Sequence, residues 1–540
     1  MEAAPTTATV DPPLEAAPRA RIDLTILIGS IVIVGLVVAG LLIWPDEAQS
    51  GAKVLFNGAT DIFGAPVQLL GLACLVMAGA LCFSRFGRIK LGDGKPAYST
   101  PSWLFMFISA GLGSATMYWA FMEWAYYYTT PGLNITPESR QALDMSTAYA
   151  YFHWGPIPWA MYAVAGVSMA YYFHVRRGKR LGYAGNVEAI VPRARAEGIW
   201  GRVIDLLFMF GTFGGLILTV TLSVTTVSAG ISTLTGLDNP LWLRAGLLVA
   251  TIAIFGVSSF VGLNSGLQRL AKIAVVGSFA FAAVVLVIGP TGFIVKNSTN
   301  AVGLEVQNFV HMALFTDPNG GGSFARDWTV FYWFYWISYL PGVAVFIARV
   351  SKGRTIRQTI LGLVSGGCAG TIFFFGVLSS QAIHQTTSGG VDAVELLNGK
   401  GGDFAVAQLL LSLPLGKVLA VVYFVIIVVF LASHLDATSF SVAAVSTRDL
   451  PEGTDPARGL RLFWVAMLGA IPMAMVVINA NLDTLKTGLV LTAIPFMVVL
   501  VVQVYGLVRW LRDDIEHLDP ETGLIRLPHH RDEFVKENQA

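Results

Sequence analysis

Cysteine is scarce in this sequence: three residues in 540, Cys74, Cys82 and Cys368, each inside an apolar run and none at metal-ligand spacing. That excludes a disulfide framework and a cysteine-based metal centre, and leaves all three as small core residues. Charge is scarce as well. Asp, Glu, Lys and Arg make up 13% of the chain, where a soluble domain carries about 25%. The formal net charge of +1 supplies no basic or acidic field, so nucleic acid is not an implied partner. No cofactor motif is present, and neither a cofactor nor a metal is expected.

What the chain has instead is apolar length. Hydrophobic residues reach 54% and the mean hydropathy is +0.64, the composition of an integral membrane protein. Apolar runs of the length a helix needs to cross hydrocarbon fall at about twelve places. They cover residues 23–44, 65–84, 101–128, 147–174, 203–234, 240–261, 270–295, 328–348, 358–382, 416–445, 460–480 and 486–511. The fold class is therefore all-α and polytopic, with twelve spanning helices. The organisation reads as an N-terminal tail over 1–22, a transmembrane domain over 23–511 and a charged C-terminal tail over 512–540, expected to be solvated. No short apolar segment with a cleavage site opens the chain, so the Pro/Ala/Thr-rich start reads as a retained tail.

Basic residues set the orientation. One set of connections holds Arg85/Arg88/Lys90/Lys95, Arg176/Arg177/Lys179/Arg180, Arg269/Lys272, Arg349/Lys352/Arg354/Arg357, Arg448/Arg458 and Arg509/Arg512. The alternate set holds little beyond Lys53, Arg140, Arg244, Lys296, Arg326, Lys400 and Lys486. Both termini are thus expected in the cytoplasm, with the chain in the inner membrane. Residues 296–327 contain VGLEVQNFVHMALFTD, an amphipathic stretch expected to lie along the outer interface.

Three stretches carry unusual residues at membrane depth. In SAGLGSATMYWAFMEWAYYYTTPG, residues 109–132, Gly111, Gly113 and Ser114 weaken the helical backbone, either to unwind it or to admit a close neighbour helix. Glu123 follows, an acidic group that costs a few kcal/mol in a span unless paired and is a functional candidate by default. In YFHWGPIPWAMY, residues 151–162, Pro156 and Pro158 distort the opening turns of a helix, and Trp159 and Tyr162 share a face. In WTVFYWFYWISYLPGVAVFIARVSKGRTIR, residues 328–357, aromatic faces give way to Leu340-Pro341-Gly342 and then to a basic patch. The proline and glycine predict an interruption at depth. Aromatic faces suit a permanent cation, because a quaternary ammonium has no N–H to donate and is held by ring quadrupoles, at about 0.5 to 2 kcal/mol per ring.

These stretches resemble the betaine/choline/carnitine transporter family, whose signature is close to W-T-x-F-Y-W-x-W-W followed by F-[IL]-A-R-[IV]-S-[RK]-G-R-[TS]-[IV]-R. FHWGPIPWAMY and EWAYYYTTPG are similar to the same family, most of all to its carnitine/butyrobetaine exchanger branch. The resemblance covers nearly the whole membrane domain. It implies a ten-helix core of two inverted five-helix repeats with two peripheral helices, a substrate site between spans 3, 4, 8 and 10, and a homotrimer. Position by position, it implies that Trp154, Trp159 and Tyr162 belong to an aromatic box with Trp333, Tyr335, Trp336 and Tyr339, Trp336 foremost. Tyr126 matches a tyrosine of the exchanger's box, and Trp328 the lining of an outer approach.

Departures from the family bear on coupling. Tyr335 and Tyr339 stand where Trp is usual. The G-x-G-x-G of sodium-coupled members is here Gly111, Gly113 and Ala115, and their T-S-A-D-S is Ser433-His434-Leu435-Asp436-Ala437. His434 is a poor sodium ligand, since sodium favours oxygen donors. It could relay a proton or simply bond a neighbouring helix. Gln268 stands where the exchanger branch places an Arg as a sodium substitute.

The expectation is a transporter, not an enzyme, that moves an onium compound by alternating access, with its head in the cage and its other end on freed N–H groups near Gly111 to Ser114. Exchange or proton coupling is favoured over sodium symport. The alternative is a sodium-coupled compatible-solute symporter whose charged tail senses osmotic change.

Overall fold

Hydrocarbon offers a backbone no hydrogen-bond partner, so long apolar runs fold as helices that satisfy their own N–H and C=O groups. The computed structural model describes residues 21–178, 190, 199–261, 264–448 and 455–527. The N-terminal tail up to residue 20, Lys179 and Arg180, and the chain beyond 527 lie outside the described residues.

The elements run α1 Leu24–Ile43, α2 Pro45–Phe83, α3 Thr100–Ala110, α4 Ser114–Thr129, α5 Arg140–His153 and α6 Pro156–Ala170. They continue as α7 Ile199–Thr235, α8 Leu241–Val261, α9 Asn264–Ile288, α10 Thr291–Leu314, α11 Phe331–Val350 and α12 Ile356–Thr387. Last come α13 Ala393–Gly399, α14 Gly402–Leu411, α15 Gly416–Val445, α16 Arg458–Val477 and α17 Leu482–Asp514. Among the described residues the only sheet is a ribbon of β1 Arg21–Ile22 paired antiparallel with β2 Thr447–Arg448. Asp23 reinforces it: its carboxylate caps α1 by accepting from the N–H groups of Thr25 and Ile26 and takes Arg448 Nε at 2.6 Å.

Nine helices among the described residues are long and apolar enough to cross a membrane, and the bent pair α3/α4 makes a tenth. The two remaining segments expected from the sequence are α8, whose apolar run is Leu241–Ile254, and the α5/α6 pair, broken near its middle. Both halves of the core pack reciprocally. Helix α6 of the first half lies on α11 of the second, and α12 of the second lies on α3 of the first. Likewise α7 meets α17 and α16 where α15 meets α9 and α8, while α6 with α12, α7 with α15 and α8 with α16 pair across the centre. This is the neighbour pattern of two inverted five-span repeats, with α1 and α2 outside them.

Two breaks make the site. Helices α3 and α4 meet at a bend of 60°. Gly113 there is extended, with φ −157° and ψ 175°, and the Thr116 hydroxyl donates to the freed Gly111 carbonyl at 2.9 Å. At the second break α5 stops at His153 and α6 starts on Pro156, whose missing N–H costs nothing at a helix start. Gly155 is required in between, since a Cβ there would lie 2.4 Å from the Tyr151 carbonyl oxygen.

Three expectations change. The interruption at Leu340-Pro341-Gly342 is absent: α11 runs unbroken through Pro341, and the irregular stretch is a wide turn over Ala325–Val330 just before it. Buried in neighbouring helices, a membrane helix tolerates one lost bond. The second span is longer than 65–84, because α2 begins at Pro45 and continues through Pro66. Part of the charged tail is packed, not solvated: Leu518 bridges Ile525, the Gly523 carbonyl accepts from Lys90 N–H at 2.7 Å, and Leu527 is buried. The amphipathic stretch is the separate helix α10, laid on α5, α12 and α2.

Glycine allows a close approach of helix backbones in the core. A Cβ on Gly370 of α12 would lie 2.3 Å from the Ile108 carbonyl oxygen of α3, backbone that cannot yield. G370A should lower the Tm in detergent by several degrees, an overpacking cost of about 1–3 kcal/mol. G79A, where a Cβ meets nothing within 4 Å, should not.

Candidate functional site

The α5/α6 break frees carbonyls inside the bundle, and indole N–H groups take them. Trp336 Nε1 of α11 donates to the His153 carbonyl at 2.9 Å, and Trp159 Nε1 donates to the Trp154 carbonyl at 3.0 Å. Thr371 of α12 donates to that same Trp154 carbonyl at 2.8 Å. The third indole, Trp154 Nε1, donates to Glu123 Oε2 at 2.9 Å. With each N–H committed, ring orientation is set.

The rings converge on Trp336. Its centroid lies 5.2 Å from Trp154, 5.4 Å from Trp159 and 5.2 Å from Tyr162, all edge to face. Trp159 fits because two glycines face it: a Cβ on Gly111 would come within 2.8 Å of its ring, and one on Gly367 within 2.1 Å. Gly113, by contrast, borders open space. Ser114 next to it begins α4, and its buried hydroxyl has no hydrogen-bond partner among the described residues. The first N–H groups of α4 also lack intrahelical acceptors. An aromatic cluster and a polar helix start thus lie on either side of Gly111.

The other residues singled out from the sequence fall into three places. Tyr335 flanks the cluster, 6.1 Å from Trp154 and 5.3 Å from Tyr339. Tyr339 ties α11 to α7, donating to the Gly215 carbonyl at 2.6 Å and meeting the Thr219 hydroxyl at 2.5 Å, with the His434 ring 5.4 Å away. Ser433 spends its hydroxyl on the Val429 carbonyl of its own helix. Trp333 points away from Trp336, toward Phe152 at 5.4 Å and His153 at 5.9 Å. Tyr126 and Trp328 form a second cluster, 5.1 Å apart, each within about 6 Å of Trp119. Gln268 lies on α9, but its side chain falls outside the described residues. Among the described residues no group of three His, Cys, Asp or Glu side chains could hold a metal.

Glu123 links the two clusters. It is fully buried and accepts from Trp154 Nε1, from the Tyr332 hydroxyl at 2.7 Å and from the Tyr127 hydroxyl. Tyr127 O also meets His153 Nδ1 at 2.7 Å, and since its one proton goes to Glu123, Nδ1–H must be the donor there. His153 Nε2 then accepts from the Thr329 hydroxyl at 3.0 Å. This is a neutral histidine tautomer that completes a network without an orphan. Tyr332 spans the gap, its ring 6.3 Å from Trp328 and 5.8 Å from Trp154.

Two members escaped the sequence reading. His153, in FHWG, was readable as a histidine at membrane depth. Lys486 was assigned to a loop, but the Asn481 cap, which accepts from Thr484 N–H, starts α17 at Leu482 and puts Lys486 in its second turn, buried. The asparagine was the available signal.

A family model described as BCCT, betaine/carnitine/choline family transporter, matches residues 25–516. The chain is 50% identical over 455 residues to "Uncharacterized transporter YeaV" of Escherichia coli (strain K12), covering 83% of this chain and 94% of the relative. It is 44% identical over 525 residues to "Carnitine transporter" of Acinetobacter baumannii, covering 96% and 95%. A solved structure of a Na+-coupled sialic acid symporter is similar with a TM-score of 0.49 at 13% identity, over 82% of this chain and 86% of that one.

Removing the Glu123 carboxylate strands three buried donors at about 1–3 kcal/mol each. E123L should therefore melt well below the wild type in detergent. E123Q should lose much less, because its amide can donate to Tyr127 once that hydroxyl turns to His153; equal losses would refute the network.

Proposed function

The chain belongs to the betaine/carnitine/choline family of transporters, and from that premise we propose that it moves a methylated onium compound such as carnitine, betaine or choline across the cytoplasmic membrane. The observation that carries this is Trp336 ringed by Trp154, Trp159 and Tyr162, with all three indole N–H groups already committed. A site whose donors are spent and whose ring faces remain suits a cation that cannot donate. The substrate's carboxylate or hydroxyl goes to Ser114 and the first N–H groups of α4, where the helix start favours negative charge. The relative named as a carnitine transporter supports such a substrate.

Transport proceeds by alternating access, one helix bundle rocking on the other about the breaks at Gly111–Gly113 and Gly155. The rings pack against one another, so they part to admit the onium head and close over it. The basic patch Arg349–Arg357 faces the cytoplasm with both termini, as the asymmetry of Lys and Arg supports. The family resemblance supports a homotrimer. Coupling is by exchange or by a proton rather than by sodium: the Ser433 hydroxyl is bonded within its own helix, and His434 beside it offers nitrogen, not oxygen.

Uptake into proteoliposomes tests this. Labelled carnitine, betaine and choline are compared with a sodium gradient, a proton gradient or internal substrate, and stimulation by sodium alone would overturn the coupling. W336L should cut uptake by about tenfold or more and erase the wild type's preference for a trimethylammonium substrate over its tert-butyl isostere as inhibitor. A preserved preference would sink the cation-π site.

A further inference from the structure

Lys486 is 3% exposed, yet no carboxylate among the described residues lies within ion-pair distance of its ammonium. What it has instead is aromatic. Nζ sits 3.5 Å from the centroid of the Trp328 ring and 4.7 Å from that of Phe331, and donates to the Asp327 carbonyl at 2.9 Å. A buried ammonium is normally held by a paired carboxylate. This one is held by ring faces, the environment a quaternary ammonium would choose.

The rings it covers are continuous with the proposed site. Trp328 stacks on Tyr332, Tyr332 donates to Glu123 and lies edge-on to Trp154, and Trp154 touches Trp336. Tyr126, Tyr127 and Trp119 close around Trp328, each within about 6 Å. The Lys486 ammonium thus caps one end of a continuous aromatic run whose other end is Trp336.

The lysine also has somewhere to go. It hangs on a flexible four-carbon stem one turn beyond Asp483, which shares its helix face at i−3, is half exposed and holds only an exposed pair with Lys53 at 3.6 Å. Asp327, Asp483 and Glu123 all attract its charge, and of the three Asp483 shares its helix. Leaving the rings for Asp483 would exchange cation-π contact for an ion pair nearer water.

We propose that the Lys486 ammonium is a tethered stand-in cation on the Trp328–Phe331 rings, which an arriving onium head displaces and which returns when the site empties. It keeps the approach desolvated and ordered between substrates. It also sets a threshold: only a ligand whose cation outcompetes a lysine proceeds. This rests on the onium reading of the site.

Equilibrium binding of radiolabelled tetramethylammonium to the purified full-length protein in nanodiscs tests it, with the Trp336 site disabled by W336L so that the approach is read by itself. Adding K486M should tighten binding by about five- to tenfold, because one intramolecular competitor is gone. K486Q should do the same, and stands in if K486M is not recovered monodisperse. K486R, which keeps the charge, should change it less than about twofold, and W328L added to K486M should abolish the gain. No gain in the neutral variants, an equal gain in K486R, or a gain that survives W328L would each overturn the proposal. Wild type and W336L binding alike would count against the Trp336 site alone and leave the Lys486 comparison decisive.

Discussion

Carbonyl oxygens freed by the break between α5 and α6 hold the centre of this protein together. In hydrocarbon an unpaired backbone carbonyl is expensive, so a helix breaks only where something replaces its lost bonds. Here the replacements are Trp336 Nε1 on the His153 carbonyl, and Trp159 Nε1 with the Thr371 hydroxyl on the Trp154 carbonyl. The exchange works both ways. The break is stabilised by the indoles, and the indoles are oriented by the break. Helices α5, α6, α11 and α12 thereby meet at one point, and the aromatic faces left over are the proposed onium site.

Glu123 extends that constraint outward. A carboxylate at this depth survives because three donors converge on it, and they come from different places: Tyr127 one turn along α4, Trp154 at the break and Tyr332 on α11. The aromatic cluster around Trp328 and the one around Trp336 are therefore parts of one bonded unit. Movement of Trp154 as a ligand enters would be felt at Tyr332 and, through the stacked rings, at Trp328. Such coupling is what the proposed alternating access asks of the proposed onium site, since both sides must register whether it is filled.

Much of this was legible in the chain. Apolar length located the spans, Gly111 and Gly113 marked a place where a helix could unwind or admit a close neighbour, and the Gly-Pro-x-Pro after Trp154 marked a distorted helix opening, because these residues change backbone options locally whatever surrounds them. The same logic failed at Pro341, where α11 simply continues. Whether a proline interrupts a helix depends on whether neighbours support the turn it weakens, and that support is tertiary. Trp333 and Trp336 look equivalent as letters in one aromatic run, yet three residues of rotation send the first toward Phe152 and the second into the cluster.

By itself, then, the sequence determined the solvent, the apolar spans, the stretches where a helix is locally weakened and the kind of chemistry the aromatic stretches suit, since each depends on residue type and local spacing. Tertiary structure alone decided which rings meet, where Tyr339 spends its hydroxyl, which donors quiet Glu123 and that Lys486 lies on Trp328 instead of in a loop. The physical reason is separation along the chain. Trp154 with Trp336 and Glu123 with Tyr332 are pairs far apart in sequence that the reciprocal packing of the two halves brings within reach, while Trp328 meets Lys486 because α17 packs on α11 within the second half.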